Sequence, residues 1–495
     1  MAVFSLALSI PLALYVLWRL YKRLRCDPLA PAKQAHWSSR YTGLWIWWQH
    51  VQDRSAEAVH QAHLRHGPVV RLGPSELSVC CVDGGLDAIY SFKEGMPKTD
   101  WYQVANSYGE EPMVAIKDES RHRERKRMLA QPYSKTALRT NQRWNSMQRQ
   151  FAARLKSALD HMNAQESCSD FYDLAFAWSV ESTSQYLFGR TAKLHLLDDL
   201  PRARRTRQQY ERQRTYQFLP LPAAILDLMG YRAEIGWMAD MMHEAQSAAS
   251  EASGTVLSYF THALAMKGET RGESESKYDN AVLCSELQDH MVAGIDTSAA
   301  ILTACAWYLS LPASQSWQTR LGDELRAAKQ PTTAADLEKL PVLDAVVKEV
   351  LRLYAPVAGS QPRCTTRCVD LGPRGHSITV PSGVTVHSQA HTLHRSSIFT
   401  DPEAFEPGRW LNASSSHLAE MERWFWPFGS GSRACIGKQL GMDNLKLAIA
   451  ALYGDYRTTV AEGTTFAISK GVIAMPVDQG GYHLRLRVRV RADEA

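Results

Sequence analysis

Short apolar runs separated by glycine and proline mark the strands that this chain is expected to form. One group at residues 67–86 predicts a small antiparallel sheet, and a second group lies at residues 363–390. Near the C-terminus, residues 483–491 alternate strictly between apolar and basic side chains, which predicts a strand with a solvated basic face. Strands therefore occupy a minor part of the chain.

Most of residues 120–353 has apolar positions at helical spacing, so the chain is predicted to be mainly helical. Asp170–Phe188 predicts one helix that stops at a glycine. A longer helix is predicted from about Asn280 to Leu311, since the following proline cannot continue it. Between these helices, Lys267–Lys277 is rich in charge and is interpreted as a flexible loop.

The first residues form an apolar segment whose positive charges come after it. Ala2–Trp18 carries no charge, and basic residues follow from Arg19 to Arg25. A signal peptide would carry its charges first, so we predict an N-terminal transmembrane helix within residues 1–25, with the body of the protein in the cytosol. A hairpin or monotopic insertion is the alternative, and it leaves the body on the same side. Residues 26–36 are then predicted to be a linker and residues 37–495 the catalytic domain.

The composition excludes several classes of protein. With 495 residues, 45% hydrophobic and 22% charged, the chain is neither collagen-like nor wholly disordered. Nine cysteines are too few for a disulfide framework and favour reduced thiols. The net charge of +5 is modest for this length, so it gives no argument for nucleic acid as a partner.

Residues 428–437, with the sequence FGSGSRACIG, place one cysteine in a glycine-rich loop ahead of a predicted helix. Because N–H groups at a helix N-terminus stabilise negative charge, Cys435 can exist as a thiolate, which is a possible axial ligand of haem iron. Gly429 would permit a tight turn, and Gly437 would let a flat porphyrin approach the backbone. Arg433 would pair with a propionate. For the cysteine alone, a buried thiol in a capping loop is the alternative.

This loop resembles the cytochrome P450 signature FxxGxRxCxG at every fixed position, from Phe428 to Gly437. Further motifs occur in the order that the family has, so the resemblance covers nearly the whole chain. On a helix predicted over Leu340–Leu353, Glu349–Arg352 matches ExxR, and Phe405–Trp410 matches FxPxRW. The resemblance implies a mainly α fold with a small β-rich lobe. It also implies a structural network around the haem, formed by Glu349, Arg352 and Arg409.

Residues 293–297 of the long helix, AGIDT, match the family motif AGxDT. The small residues Ala293 and Gly294 would leave a groove over the iron. Asp296 and Thr297 are the predicted catalytic residues, because they can pass protons to bound dioxygen. The alternative is a packed core helix in which the threonine bonds back to a carbonyl.

The basic run of residues 122–127 lies where the family holds a haem propionate with Trp and Arg. Here those positions are His122 and Lys126, which can both donate to a carboxylate, although lysine lacks the bidentate fork of arginine. Arg363 aligns with another propionate ligand of the family. A solvated helix face is the plainer interpretation of such a run.

The resemblance implies haem b with an axial thiolate from Cys435, and a monooxygenase that hydroxylates or epoxidises an apolar small molecule. NADPH would supply electrons through a separate flavoprotein reductase. The anchor and the residues 67–77 are similar to membrane-bound fungal members, many of which act in secondary metabolism, so the endoplasmic reticulum membrane is the expected location. A haem–thiolate isomerase or dehydratase that works without a reductase is one alternative. A non-catalytic membrane haem protein is another, although neither needs the acid–threonine pair.

The family layout also implies where substrate would lie. His290 precedes the Ala–Gly pair by about one turn and could bond a substrate oxygen if it faces the pocket. The other expected pocket walls are Lys98–Met113, Tyr210–Trp237, Ala355–Ser360 and Val472–Met475.

Overall fold

The computed structural model describes residues 27–91, 95–164, 169–189, 195–217, 225, 235–247, 254–268, 273–329 and 333–491. The predicted transmembrane helix at residues 1–25 lies outside these residues. Among them, one helical stretch, Asp279–Ser310, is long and apolar enough to cross a membrane, but 67% of its most apolar window is buried in the protein core.

Helices dominate the described chain, as predicted. Those of eight or more residues are α1 Leu44–Val51, α2 Ser55–His66, α3 Glu119–Tyr133, α4 Gln142–Ala164, α5 Phe171–Phe188, α6 Leu200–Gln217, α7 Gly236–Ser247, α8 Val256–Gly268, α9 Glu273–Ser310, α10 Gln315–Ala327, α11 Pro341–Leu353, α12 Ser415–Trp424 and α13 Lys438–Asp455. Shorter helices span Asp87–Ile89, Lys135–Thr140, Ala334–Leu337, Ala390–Leu393 and Gly408–Asn412.

Three small sheets form the β-rich part of the described chain. The strands are β1 Lys33–Gln34, β2 Val69–Gly73, β3 Glu76–Val79, β4 Ser169–Asp170, β5 Arg363–Cys364, β6 Val369–Leu371, β7 Ile378–Val380, β8 Thr385–His387, β9 Tyr456–Val460 and β10 Arg485–Val490. The largest sheet has the order β1-β2-β3-β8-β5, and the others are β4-β10-β9 and β6-β7. The predicted antiparallel pair at residues 67–86 is β2 with β3, in register Val69 to Val79.

Helix α5 illustrates how local signals set the elements of the core. Asp170 caps its N-terminus by accepting a hydrogen bond from the backbone N–H of Tyr172 at 3.1 Å. Gly189 ends it with a left-handed φ of 77°, a conformation that glycine adopts at low cost. Nearly every side chain between these caps is buried, so α5 is a core helix, and the long helix α9 packs against it.

Two segments differ from the sequence-based prediction. Residues 27–34, predicted as part of a linker, pack into the β-rich lobe: Leu29 and Ala32 are buried, and β1 pairs in parallel with β2. Asp27 fixes this segment by accepting a 2.6 Å hydrogen bond from Arg71. The predicted loop Lys267–Lys277 is also shorter, because α8 runs to Gly268 and α9 begins at Glu273. Glutamate and lysine are good helix formers, which explains why a charged segment extends α9.

Candidate functional site

The loop before α13 presents Cys435 on a tightly folded backbone. The N–H of Cys435 donates to the carbonyl oxygen of Phe428 at 2.9 Å. Gly429 and Gly431 have φ values of 64° and 70°, which favour glycine. At Gly431 a Cβ would also lie 2.1 Å from the carbonyl oxygen of Tyr90. The loop therefore needs its glycines to hold the cysteine in place.

The thiol of Cys435 lies at the N-terminal end of α13, and it is accessible although protein surrounds it, so it faces an internal space. Burial raises the pKa of this thiol, while the N–H of Gly437 and the charges of Lys126 and Lys438 lower it. Burial prevails over the helix N-terminus, so the surroundings alone favour the neutral thiol. A bound metal deprotonates a coordinating thiol by its own charge. Gly437 leaves space for such a group beside the sulfur, since a Cβ added to this glycine would lie 3.9 Å from Sγ.

Helix α9 forms the opposite side of this space. Ala293 is accessible and Thr297 is partly accessible, although most of the helix around them is buried. The charge of Asp289, four residues before Ala293, raises the pKa of Cys435. The thiol and this face of α9 therefore border the same internal space, and the small side chain of Ala293 keeps it open.

The other residues of the AGIDT motif make contacts within the protein. A Cβ on Gly294 would lie 2.6 Å from Cγ2 of Thr183, so this glycine permits the close approach of α5. Asp296 pairs with Arg214 and accepts a hydrogen bond from the hydroxyl of Tyr210 at 2.8 Å, which turns it toward α6. Thr297 donates from Oγ1 to the carbonyl oxygen of Ala293 at 2.8 Å, the back-bond that the core-helix alternative describes. Within the described residues, no hydrogen bond joins Asp296 to Thr297.

Basic side chains crowd beside the cysteine loop. Burial and the neighbouring cations hold the pKa of His122 at about 3. The pKa of Lys98 is well below its usual range for the same reasons. Buried cations that repel one another need an anion, and the two propionates of a haem supply two negative charges. The cluster therefore fits a haem, and its members are Lys98, His122, Lys126, Arg363 and Arg433.

Several of these basic side chains also donate hydrogen bonds to other parts of the protein. Lys126 donates from Nζ to the carbonyl oxygen of Ser432 at 2.7 Å, and Arg433 donates to the carbonyl oxygen of Ile116 at 2.6 Å. Arg363 donates to the hydroxyl of Tyr102 at 3.2 Å. These contacts join α3 and the segment before it to the cysteine loop, and β5 to that segment, so the cluster also has a structural role.

Lys98 is a member of the cluster that the sequence-based list of ligands lacks. It stands in an irregular segment, where no periodicity or motif marks it. Only the bridge between Lys98 and Arg363 in the folded chain brings it to the site. There its ammonium group donates to the carbonyl oxygen of Val114 at 2.5 Å.

The structure brings the three residues of the ExxR and FxPxRW motifs together. Both carboxylate oxygens of Glu349 accept from Arg352, at 2.8 and 2.9 Å, and Arg409 donates to Oε1 at 3.0 Å. Trp410 adds a hydrogen bond from Nε1 at 2.9 Å. Arg352 also donates to the carbonyl oxygens of His394, Pro402 and Ala404, so this ion network fixes the chain that leads to the cysteine loop.

His290 does not face the internal space, which argues against its expected contact with substrate. It is only 8% exposed, and its Nδ1 lies 2.8 Å from the hydroxyl of Tyr133. Asp289, its neighbour, is the partly exposed residue, and sequence analysis missed it because a lone acid on a helix has no distinguishing pattern. Of the other expected pocket walls, Ala355–Ser360 contacts Val472–Met475 through the N–H of Gly359 and the carbonyl oxygen of Val472, at 3.0 Å. Most of residues 218–234 lies outside the described chain.

Comparison with known proteins shows which family of proteins this chain matches. The family model described as "Cytochrome P450" matches residues 39–478. The chain is 26% identical to "Cytochrome P450 monooxygenase tazI" of Aspergillus terreus, over 90% of each protein. It is 25% identical to "Tryprostatin B 6-hydroxylase" of Aspergillus fumigatus, over 86% of this chain and 75% of that one. It is 26% identical to "Fusicoccadiene 8-ol C-16 hydroxylase" of Alternaria brassicicola, over 81% of this chain and 82% of that one.

Proposed function

Because the chain belongs to the cytochrome P450 family of haem–thiolate enzymes, we propose that it hydroxylates or epoxidises an apolar intermediate of fungal secondary metabolism. One atom of dioxygen enters a C–H or C=C bond of the substrate and the other leaves as water. Two electrons from NADPH, passed through a separate flavoprotein reductase, balance this reaction. The accessible Cys435 thiol opposite the open face of α9 is the observation that carries the proposal.

Haem b is the cofactor of this enzyme class, and it supplies the activation of dioxygen when bound. The sulfur of Cys435 would be its axial ligand. Lys98, Lys126, Arg363 and Arg433 would neutralise its propionates, and His122 would donate a hydrogen bond to one of them. The negative charge of the propionates would offset the burial and the mutual repulsion that lower the pKa values of Lys98, His122, Lys126 and Arg433. Phe428 and Gly437 would flank the porphyrin next to the sulfur.

Thr297 and Asp296 of α9 would hold the groups that pass protons to the dioxygen site. The hydroxyl of Thr297 has its own proton committed to the carbonyl oxygen of Ala293, so its lone pairs are free to accept a hydrogen bond from water. Asp296 is buried, and burial raises its pKa, while Arg214 and Tyr210 stabilise its charge. A proton could reach Thr297 from Asp296 only through water or through a changed contact with Arg214, since the two side chains do not meet directly.

Relatives of this chain support the proposal that its substrate is a small molecule and that the reaction adds oxygen to it. Two of them are named as hydroxylases, one of tryprostatin B and one of fusicoccadiene 8-ol. Reductase-independent rearrangement of a peroxide is the main competing activity, and a haem carrier is the non-catalytic alternative. The acid and the threonine on α9 favour oxygen activation over both.

An aromatic surface supports attachment to a membrane. Trp37 is 76% exposed and Trp48 is 48% exposed, and both follow the predicted anchor. Tryptophan and tyrosine favour the interface between lipid and water. We propose that this aromatic surface, formed by Trp37, Tyr41, Leu44, Trp47 and Trp48, rests on the endoplasmic reticulum membrane while residues 1–25 cross it once. The catalytic domain would then face the cytosol and the reductase.

Spectroscopy and turnover together test the proposed function. The reduced, carbon-monoxide-treated protein should show the shifted Soret band of a thiolate-ligated haem, and Cys435→Ser should lose it. With NADPH and a fungal reductase, the wild-type protein should consume dioxygen and the variant should not. A normal Soret band in Cys435→Ser would refute the assignment of the ligand. A thiolate band with peroxide rearrangement and no reductase-dependent oxygen use would instead support an isomerase.

A further inference from the structure

Asp289 has a carboxylate without a hydrogen-bond partner in the described part of the chain. It is partly exposed, and Ala293 and Thr297 follow it four and eight residues later with accessible surface of their own. Residues four apart share one face of a helix. The carboxylate therefore belongs to the stripe of α9 that borders the internal space of Cys435.

The groups behind Asp289 already satisfy one another. Glu286 is fully buried, and its carboxylate accepts from Arg125 at 2.7 Å and from the N–H of Met113 at 3.0 Å. Nδ1 of His290 lies 2.8 Å from the hydroxyl oxygen of Tyr133. The positive charge of Arg125 is thus taken by Glu286, and within the described residues no cationic side chain forms an ion pair with Asp289. Lys98 and His290 act on Asp289 electrostatically, but the ammonium group of Lys98 donates to the carbonyl oxygen of Val114.

A second polar group beside Asp289 lacks a hydrogen bond. Nε2 of His290 is buried and lacks a hydrogen bond, since Oε1 of Glu286 lies 3.4 Å away outside hydrogen-bond geometry. Ligand atoms of Glu286, Asp289 and His290 all lie within 4.8 Å of one another. An unpaired carboxylate beside an unpaired, buried ring nitrogen is costly in the free protein, so this spot is suited to a bound polar group.

We propose that Asp289 is a positioning residue that binds a cationic nitrogen of the substrate. This inference rests on the proposed monooxygenase function and narrows its substrate class to an apolar molecule with one amine or ammonium group. A cation is favoured because it would form the direct ion pair that no cationic side chain of the described residues makes with Asp289. A divalent metal is disfavoured because the guanidinium of Arg125 contacts the one neighbouring carboxylate that could share it.

The position of Asp289 sets which part of the substrate is exposed to oxygen. Four residues of helix rise about 6 Å, so Ala293 lies one turn further along the stripe. A nitrogen held at Asp289 would place the apolar carbons of the substrate along Ala293 and Thr297. Those carbons, and not the carbons next to the nitrogen, would lie above the cysteine loop.

Probes of equal chain length and different charge test this anchor in the full-length holoenzyme. Decyltrimethylammonium has a fixed charge and no lone pair to ligate iron, and decanol and decanoate are its neutral and anionic counterparts. Their dissociation constants are measured by titration calorimetry and by the change in the Soret band. We expect decyltrimethylammonium to bind tighter than decanol by on the order of tenfold, and decanoate to bind weakest. In Asp289→Asn the preference for the cation should vanish.

Asp279→Asn is the matched control, since it removes one carboxylate from the same helix about 15 Å from Asp289 along the axis, and it should keep the preference. The proposal is overturned if wild type shows no preference for the cation, or if Asp289→Asn retains it. It is also overturned if wild type purifies with a stoichiometric divalent metal that Asp289→Asn lacks. Failure of the proposed function itself would be recognised separately, because either the thiolate Soret band or the reductase-dependent consumption of dioxygen would then be missing before any probe is added.

Discussion

Lys126 donates a hydrogen bond from Nζ to the carbonyl oxygen of Ser432 across 2.7 Å, and it thereby ties α3 to the loop that carries Cys435. The same ammonium group lowers the pKa of the Cys435 thiol. One side chain therefore contributes to the shape of the loop and to the electrostatics of the sulfur.

Replacing Lys126 by methionine should loosen the cysteine loop. Loss of one hydrogen bond from a charged donor costs about 1.5–3 kcal/mol at most, and less where water can take its place. We expect a lower ratio of haem to protein after purification and a larger share of protein without the thiolate band. Lys135→Met is the control, because Lys135 pairs with exposed Glu338 at the surface and should leave haem content unchanged. Equal haem content in both variants would contradict this role.

Gly294→Ala should destabilise the protein by forcing α5 and α9 apart. The new Cβ would lie 2.6 Å from Cγ2 and 2.7 Å from Oγ1 of Thr183. Overpacking of this kind typically costs about 1–3 kcal/mol, which thermal unfolding would detect as a lower Tm. Thr183→Ala removes both atoms in the clash, so the double variant should recover part of the loss. A double variant no more stable than Gly294→Ala would show that the clash lies elsewhere.

Glu349→Gln should prevent stable assembly around the cysteine loop. The substitution leaves the buried guanidinium of Arg352 and that of Arg409 without their negative partner, and breaking a buried ion pair costs about 3–5 kcal/mol. Unfolding by urea, followed by tryptophan fluorescence, measures the loss. Trp410→Phe removes only the neutral donor to the same carboxylate and should cost far less. Similar losses in the two variants would refute the importance of the charge.

The affinity of decyltrimethylammonium should rise from pH 6 to pH 8. Burial raises the pKa of Asp289 to about 7, so its carboxyl group is mainly neutral at the lower pH and mainly charged at the higher one. The probe keeps its charge throughout. The charged or titratable groups that interact with Asp289 are Lys98, Tyr133, Glu286, His290 and Cys435, and Arg125 pairs with Glu286. Asp289→Asn should remove the rise, and a rise that persists in this variant would assign it to another group in that list.

The aromatic surface should report contact with lipid. In vesicles that contain brominated lipid, fluorescence of the full-length protein should be quenched, and replacing Trp37, Trp47 and Trp48 by phenylalanine should remove much of that quenching. Trp317→Phe, at a buried position, should leave the quenched fraction nearly unchanged. Quenching that is the same in the triple variant would place this surface away from the bilayer.

Sequence alone determined the features that depend on local order along the chain. The boundaries of α5 follow from Asp170 and Gly189, which cap a helix wherever it lies in the fold. The spacing around Cys435 and the order of the motifs placed the chain in its family, because each motif is short and contiguous. The residues of the ExxR and FxPxRW network could be predicted for the same reason.

Tertiary structure decided how side chains from distant segments meet. Lys98 joins the cation cluster through a backbone bridge to Arg363. Position 294 must be glycine because Thr183 of the neighbouring helix lies where a Cβ would be. Asp289, rather than His290, borders the space of Cys435. Packing also incorporated residues 27–34 into the β-rich lobe. Periodicity gives the face of a helix on which a residue lies, but not which element that face meets. Contacts between distant segments arise only when the whole core is assembled.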